Sequence, residues 1–391
     1  MSSTLRFRYF RSMKEVPPAQ WDALAPAHVF TTHAWLSAFE ASGLVGPGRA
    51  IEYCIPALVD SSGTLVAAAP GVMKREPLGE YGPEYAWLHD AARRGIRLLP
   101  KLQIEVPLTP VASPKFLVRP GWDRAELVRV LFQAMMDSAA RGSLSALSIV
   151  RMTKQDQDAL RARGLAASSE IGTRWRNEGY RSYDEFLARL KGEYRYAIRR
   201  ERKDFHSHGL KVQLLRGREI TAAHWDAFFA GYEAVCVRKR GPVLLNRRFF
   251  DQLAPLGDAI CLMGVFAGDE FRAGTFMIAG SDTLYSRSWS ELAHTPGAVF
   301  EAAMYRPAEL AIELGLQWLD CGIWGPHKPK RGFEPVLVPN AHWLRDPSME
   351  KLARAMAARH ERSVLDRLGP SWHEHYLRRD AYPPPRAPTS G

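Results

Sequence analysis

Cysteine is scarce in this chain, and the four present (Cys54, Cys236, Cys261 and Cys321) stand too far apart for a disulfide framework or a thiolate metal site. That usage fits a reducing cytoplasm, the expected location. Long apolar runs are missing too: none reaches the roughly 18 residues of a membrane-spanning helix, so no integral membrane association is expected. The opening residues Leu5-Arg6-Phe7-Arg8-Tyr9-Phe10-Arg11 scatter charge where a leader would carry its apolar core. No Gly-x-Ser-x-Gly elbow, phosphate-binding loop or Rossmann glycine fingerprint occurs. The Gly-x-Gly at Gly46-Pro47-Gly48 has Gly43 where an acyl-CoA pyrophosphate loop carries Arg or Gln. His373-Glu374-His375 lacks the helical spacing of a zinc protease and reads as a surface feature. No metal and no resident cofactor are expected. Acidic residues are the scarcer sign, 42 against 53 basic, a net charge of +11. That excess suits RNA, a nucleotide-linked substrate or an anionic membrane surface.

What is present is a chain of 391 residues, long enough for two domains, with a repeated order of elements. Trp21-Asp22-Ala23-Leu24 opens one half and Trp225-Asp226-Ala227-Phe228 the other, each followed by helical spacing of apolar residues. Gly63 follows Trp21 by 42 residues and Gly268 follows Trp225 by 43, each at the turn of a strand-turn-strand pattern. Each half then reaches an amphipathic helix, 125–136 ending near Gly142 and 300–312 ending at Gly315, before a short apolar strand. The expectation is two α+β halves, residues 1–170 and 171–380, each a sheet with helices on it. The first half is longer by residues 79–111, rich in aromatics and prolines, which read as an inserted loop. Residues 381–391 read as a proline-rich disordered tail.

Between the halves, Ser182 with Glu185 forms a capping box, and the helix it opens is expected to run to Lys203. Lys191, Arg195, Arg199, Arg202 and Lys203 would line one of its faces. Like charges so placed cost an isolated helix a few tenths of a kcal/mol each, which a bound polyanion offsets; a solvated face is the plainer alternative. The richest polar cluster follows a predicted strand, from Trp318 and Asp320 through Gly322, Gly325, His327, Lys328, Arg331 and Gly332 to Glu334. Upstream, alternation from Asp282 to Trp289 would put Tyr285, Arg287 and Trp289 on one face. Glu301 and Tyr305 come next. Together these supply the aromatics, cations, carboxylates and histidine of a ligand pocket.

These segments carry a resemblance. The chain resembles the FemAB-like proteins of peptidoglycan biosynthesis or recognition, a branch of the GNAT acyltransferase superfamily. The likeness rests on Thr32 to Glu40, Gly79-Glu80-Tyr81, Pro100 to Val111, Trp175-Arg176-Asn177, Tyr194 to Arg202, Asp282 to Trp289, and Gly325-Pro326-His327-Lys328 followed by Arg331 to Pro335. It implies tandem GNAT-like domains of mostly antiparallel mixed sheet flanked by helices, with the cleft in the second. It further implies amide-bond formation, with an aminoacyl-tRNA as donor and the amine of a peptidoglycan precursor or small specialised metabolite as acceptor. An acyl-CoA donor and a non-catalytic recognition module are the alternatives. Lys328 matches the family's lysine before a Phe-Gly-type motif, although the order here is Gly332-Phe333, and Pro326 stands where relatives carry Glu. On this reading Lys328 steadies the oxyanion and Asp320, His327 or Glu301 accepts the amine proton. Tyr285, Arg287, Trp289, Tyr305, Arg331, Glu80 and Tyr81 contact substrate, and the basic helix holds tRNA phosphates.

Overall fold

The computed structural model describes residues 5–79, 83–161, 163–323, 325–368 and 375–378. The chain divides into two units. The first takes Met1–Glu170, Leu244–Gly257 and Leu337–Ser363, and the second Ile171–Val243, Asp258–Val336 and Val364–Gly391.

Unit 1 begins with β1 (Arg6–Phe10), α1 (His33–Ala41), β2 (Ile51–Tyr53), β3 (Ile55–Val59), β4 (Leu65–Ala68) and β5 (Gly71–Lys74). It continues with α2 (Pro83–Arg93), β6 (Lys101–Ile104), β7 (Leu117–Val118), α3 (Arg124–Arg141) and β8 (Ala146–Ile149). β1, β3, β4 and β7 form an antiparallel sheet in that order. Gly63, at φ +85°, makes the turn between β3 and β4 that its spacing predicts. In the unit's other sheet β5 lies between β2 and β6, and β6 pairs with β8 in parallel. Alternation gives this sheet two unlike faces. Leu102, Ile104, Leu147 and Ile149 pack with Leu127, Leu131 and Met135 of α3, whereas Lys101, Gln103 and Ser148 face the other way and are buried as well. Residues 79–111, expected as a loop, thus carry α2 and β6. A four-residue strand set among prolines leaves too short an alternation to stand out from the sequence.

The chain enters unit 2 along β9 (Ala166–Arg176), then forms α4 (Tyr183–Arg189), α5 (Gly192–Ser207), β10 (Leu210–Arg216), α6 (Ala222–Arg238), β11 (Ile260–Ala267), β12 (Glu270–Ala279) and β13 (Thr283–Glu291). A three-residue helical turn, Ala298–Phe300, leads into a π-helix, Glu301–Tyr305, and then α7 (Arg306–Glu313) and β14 (Trp318–Ile323). β10 to β13 are antiparallel neighbours in sequence order, β14 joins β13 in parallel, and β9 pairs antiparallel with β14. β15 (Glu334–Leu344) returns to unit 1, where its last four residues pair with β8, and α8 (Pro347–Leu368) follows. Among the described residues no helix is long and apolar enough to cross a membrane.

Two expectations change here. The basic helix breaks at Leu190 and Lys191, both extended, because Leu190 bridges to Leu377 and the Lys191 N–H donates to Tyr376. The helix expected over 300–312 widens into a π-turn before Pro307. Proline has no N–H for the Ala303 carbonyl, which accepts instead from the Cys321 thiol at 3.4 Å.

Candidate functional site

β13 and β14 pair over three positions, Thr283 with Trp318, Leu284 with Leu319 and Tyr285 with Asp320. Beyond them β13 stays with β12, while the register of β14 on β9 shifts and Gly322 takes φ +69°. The strands therefore part. Two carbonyls of β14 past that point are taken by a lysine: Lys328 Nζ donates to Cys321 at 2.7 Å and to Ile323 at 2.5 Å. Lys328 is buried, and desolvation holds its pKa below the ordinary lysine value despite Cys321 and Asp320 nearby. Burial also pushes the Cys321 thiol up to about 12, which leaves it protonated and inert.

A short helical turn, Pro329–Arg331, fixes this lysine, and Gly332 closes it at φ +81° with the Phe333 N–H donating to the Lys328 carbonyl. The site a Cβ would take on Gly332 lies 2.4 Å from Phe186 Cζ, so only glycine fits. Arg331 is the anchor. It lies 3.7 Å over the Phe300 ring and donates to the Tyr305 hydroxyl at 2.7 Å, to both oxygens of Glu201 at 2.7 and 2.8 Å, and to the His327 carbonyl at 2.8 Å. Tyr305 also donates its hydroxyl to Glu201, and burial followed by that carboxylate raises its pKa. The His327 ring is exposed beside Phe300. Partial desolvation, then Lys328, Arg331 and Lys239, lower its pKa below the usual histidine value. Glu201 was missed in the sequence. Its one signal is an acid inside a basic run.

The remaining candidates have other partners. Asp320 accepts from Arg174 at 2.9 Å and from the Gly322 N–H at 2.8 Å, so both its oxygens brace the bend in β14. Glu301 is buried on the π-helix and accepts from Arg202 Nε and Nη2. Arg202 also donates to Glu309 at 2.5 Å. Burial opposes the Arg202 charge, but Glu309 and Glu301 more than offset it and hold the pKa above its ordinary value. Tyr285, Arg287 and Trp289 do not share a face. A bulge at Arg287 shifts the register, so Tyr285 stands opposite Ile278 while Trp289 stands opposite Thr275, residues of opposite parity on β12. Tyr285 is buried, and Trp289 packs partly buried with the core that includes Met277. Glu80 and Tyr81 lie outside the described residues, as do His373, Glu374 and the 381–391 tail.

The basic residues divide. Arg202 points inward to its glutamates, Arg199 pairs with Asp184 at 2.8 Å, Lys191 and Arg195 are half-buried, and Lys203 is exposed. Arg199, Arg202 and Lys203 border a cavity of about 620 Å³ shared by α4, α5 and α7, floored by Tyr183 and carrying Glu309 and Glu313 on the α7 side. Among the described residues no group of three or more His, Cys, Asp or Glu side chains is arranged to hold a metal ion.

Unit 1 holds a second concentration of buried charge, on the polar face of its sheet. Lys74 pairs with Glu105 at 2.9 Å, and Arg151 lies 3.5 Å from both Glu105 and Glu170. His342 on β15 sits between Ser148, 2.9 Å from Nδ1, and Ser168, 3.0 Å from Nε2, with Glu84 3.2 Å from Nδ1. Its signal in the sequence was the alternation Lys101-Leu102-Gln103-Ile104-Glu105. A cavity of only about 20 Å³ adjoins this group, room for about one water.

No curated protein sequence matches the chain. Among solved structures it is similar to FemX, at 10% identity over 89% of this chain and 99% of that one, with a TM-score of 0.52. L-PGS from Bacillus licheniformis matches at 9% identity over 76% of this chain and 88% of its own, with a TM-score of 0.47. The FemX likeness is one of fold. Residues 12–375, nearly the whole length, match the family described as FemAB-like, peptidoglycan biosynthesis/recognition, and the chain belongs to that family.

Proposed function

We propose that this FemAB-like acyltransferase joins an aminoacyl group, carried as an ester on tRNA, to the amine of a peptidoglycan precursor. The observation that carries the reading is the His327–Lys328 turn at the parting of β13 and β14. Lys328 uses two of its three ammonium hydrogens on main-chain carbonyls, which aims the third. Partial burial and the neighbouring cations lower the His327 pKa, which favours the neutral ring that a base needs. Asp320 and Glu301 already have their oxygens occupied, which favours His327 as the base.

In the step that follows, the acceptor nitrogen attacks the ester carbonyl, and the third Lys328 hydrogen faces the oxyanion. The C–N bond forms, and the C–O bond to the ribose oxygen breaks. His327 takes the proton that the nitrogen sheds and hands it to the departing ribose oxygen, which leaves as the free hydroxyl and returns His327 to its neutral form. An ester donor is already activated, so no covalent enzyme intermediate is needed and positioning supplies most of the rate. The absent pyrophosphate glycine loop and the +11 charge support tRNA over acyl-CoA as donor.

The test incubates purified protein with radiolabelled aminoacyl-tRNAs or acyl-CoAs and candidate peptidoglycan precursors, and scores products by mass. A product from aminoacyl-tRNA that disappears on ribonuclease treatment and with Lys328→Ala supports the reading. A ribonuclease-resistant product made from acyl-CoA overturns the donor. Binding of precursor with no turnover from any donor overturns the chemistry in favour of a recognition module.

A further inference from the structure

Once α5 is clamped through Glu201 and Arg202, its outward face becomes legible. Ile198 and Phe205 are buried, which fixes the rotation of the helix. Tyr196, Arg200 and Lys203 then follow one another at i, i+4 and i+7 along the exposed side, a single stripe about 10 Å long. Tyr196 is 68% exposed, a large aromatic turned mostly to solvent. The acid best placed to neutralise Arg200 is Asp204, one turn on, yet Asp204 lies 3.8 Å from His208 instead. Lys203 also borders the 620 Å³ cavity, so the stripe leads into it.

We infer that the Tyr196–Arg200–Lys203 stripe is a platform for single-stranded RNA, with a base stacked on Tyr196 and phosphates on the two cations. This rests on the tRNA-donor reading, keeps only Lys203 of the basic set first expected, and adds Tyr196 and Arg200. Arg202 cannot serve, because its guanidinium already holds two glutamates. A flat aromatic flanked by cations at helical spacing is the arrangement that binds unpaired nucleotides without regard to sequence, because every base offers a ring face. An anionic membrane suits this face less well, since Tyr196 is its one large apolar side chain and no neighbour would insert beside it.

The experiment measures binding of fluorescently labelled uncharged tRNA, and of a short single-stranded RNA ending in CCA, by anisotropy over a salt series. Tyr196→Ala should weaken binding about 5- to 150-fold, the equivalent of a base stack of about 1–3 kcal/mol, while Tyr196→Phe retains it. Arg200→Gln with Lys203→Gln should lower the slope of log K against log salt by about 1.4, two single-strand phosphate contacts. Three results overturn the inference. If wild-type protein binds RNA and these variants bind equally well, the platform lies elsewhere and the donor reading survives. If wild-type protein binds neither RNA, both fall. If the variants lose binding to phosphatidylglycerol vesicles rather than to RNA, the face is a membrane contact.

Discussion

Lys115→Met offers a test of how unit 1 tolerates its buried charge. Lys115 is 1% exposed, and its Nζ donates to Ser113 Oγ at 2.7 Å. Burial brings its pKa down to about 7 from 10.5, with Asp156 resisting, Arg151 assisting and Glu105 resisting. Between pH 7 and pH 10.5 the unfolded chain holds a proton on Lys115 that the folded unit does not. Stability therefore rises with pH across that window, by up to about 1.4 kcal/mol per unit, and the burial penalty stands in full below pH 7. At pH 7 it amounts to about 4 kcal/mol. Methionine removes it but leaves the Ser113 hydroxyl without its donor, a loss of about 1–3 kcal/mol. The variant should gain roughly 1–3 kcal/mol at pH 7, and the gain should vanish near pH 10. Urea denaturation followed by tryptophan fluorescence at pH 7, 8.5 and 10 reads the difference. A gap between variant and wild type that does not change with pH would refute the argument.

Three further substitutions probe unit 2. Gly332→Ala forces a Cβ within 2.4 Å of Phe186 at φ +81°, so it should cost about 1–3 kcal/mol and depress turnover beyond what the unfolded fraction explains, read by denaturation alongside the product assay. Gly231→Ala brings a Cβ to 2.3 Å from Ser290 Oγ and 2.8 Å from the Glu291 nitrogen, where α6 meets β13. The expected loss is about 1–3 kcal/mol, and Ser290→Ala in the same chain should recover part of it in the denaturation midpoint. Glu301→Gln leaves the Arg202 guanidinium facing a neutral amide on its buried side, with Glu309 as its remaining carboxylate. It should cost about 1–3 kcal/mol in urea, with little change between low and high salt because the Glu301 side of the pair is screened from solvent.

The parts of this structure that were legible in sequence depend on neighbours a few residues away. The hairpin at Gly268 and the helix stops at Gly142 and Gly315 each follow from local backbone demands, and each stands where its glycine placed it. The illegible parts are closed by distant partners. Leu190 leaves the helix because of Leu377, Glu201 meets Arg331 from 130 residues away, and His342 reaches Ser168 across 174. Alternation failed at Arg287 for a different reason: a bulge adds one residue, and nothing in Asp282 to Trp289 marks where it falls. Pro307 lay unheeded inside the expected 300–312 helix, and its missing N–H could be answered by a kink or by a π-turn equally well. Here the Ala303 carbonyl left without that N–H is met by the Cys321 thiol on the next strand.

Buried charge is costly unless its partners saturate it, so the groups that a network leaves unsaturated are informative. In unit 2 the guanidinium of Arg331 has every side occupied, by Tyr305, Glu201, the His327 carbonyl and the Phe300 ring. Glu301 and Asp320 are likewise engaged. Within this network, among the described residues, the ring of His327 and one hydrogen of Lys328 are left over, and these are the groups that the proposed reaction uses. Arg331 then has a second task besides bracing the turn, because its charge is among the causes that lower the His327 pKa, after burial and Lys328. Arg331→Met should raise that pKa toward the ordinary value, both by removing a cation and by leaving the Glu201 charge unpaired nearby. His327 would then be neutral, and able to accept a proton, only at higher pH. The acid limb of the turnover profile should move upward, and so should the midpoint of the His327 ring-proton titration by NMR, a readout that needs no substrate. Arg331→Lys keeps the positive charge while losing most of the fork, and it should leave the midpoint near that of wild type even if the turn loosens. A His327 midpoint that stays put or falls in the methionine variant would show that the arginine acts on geometry alone.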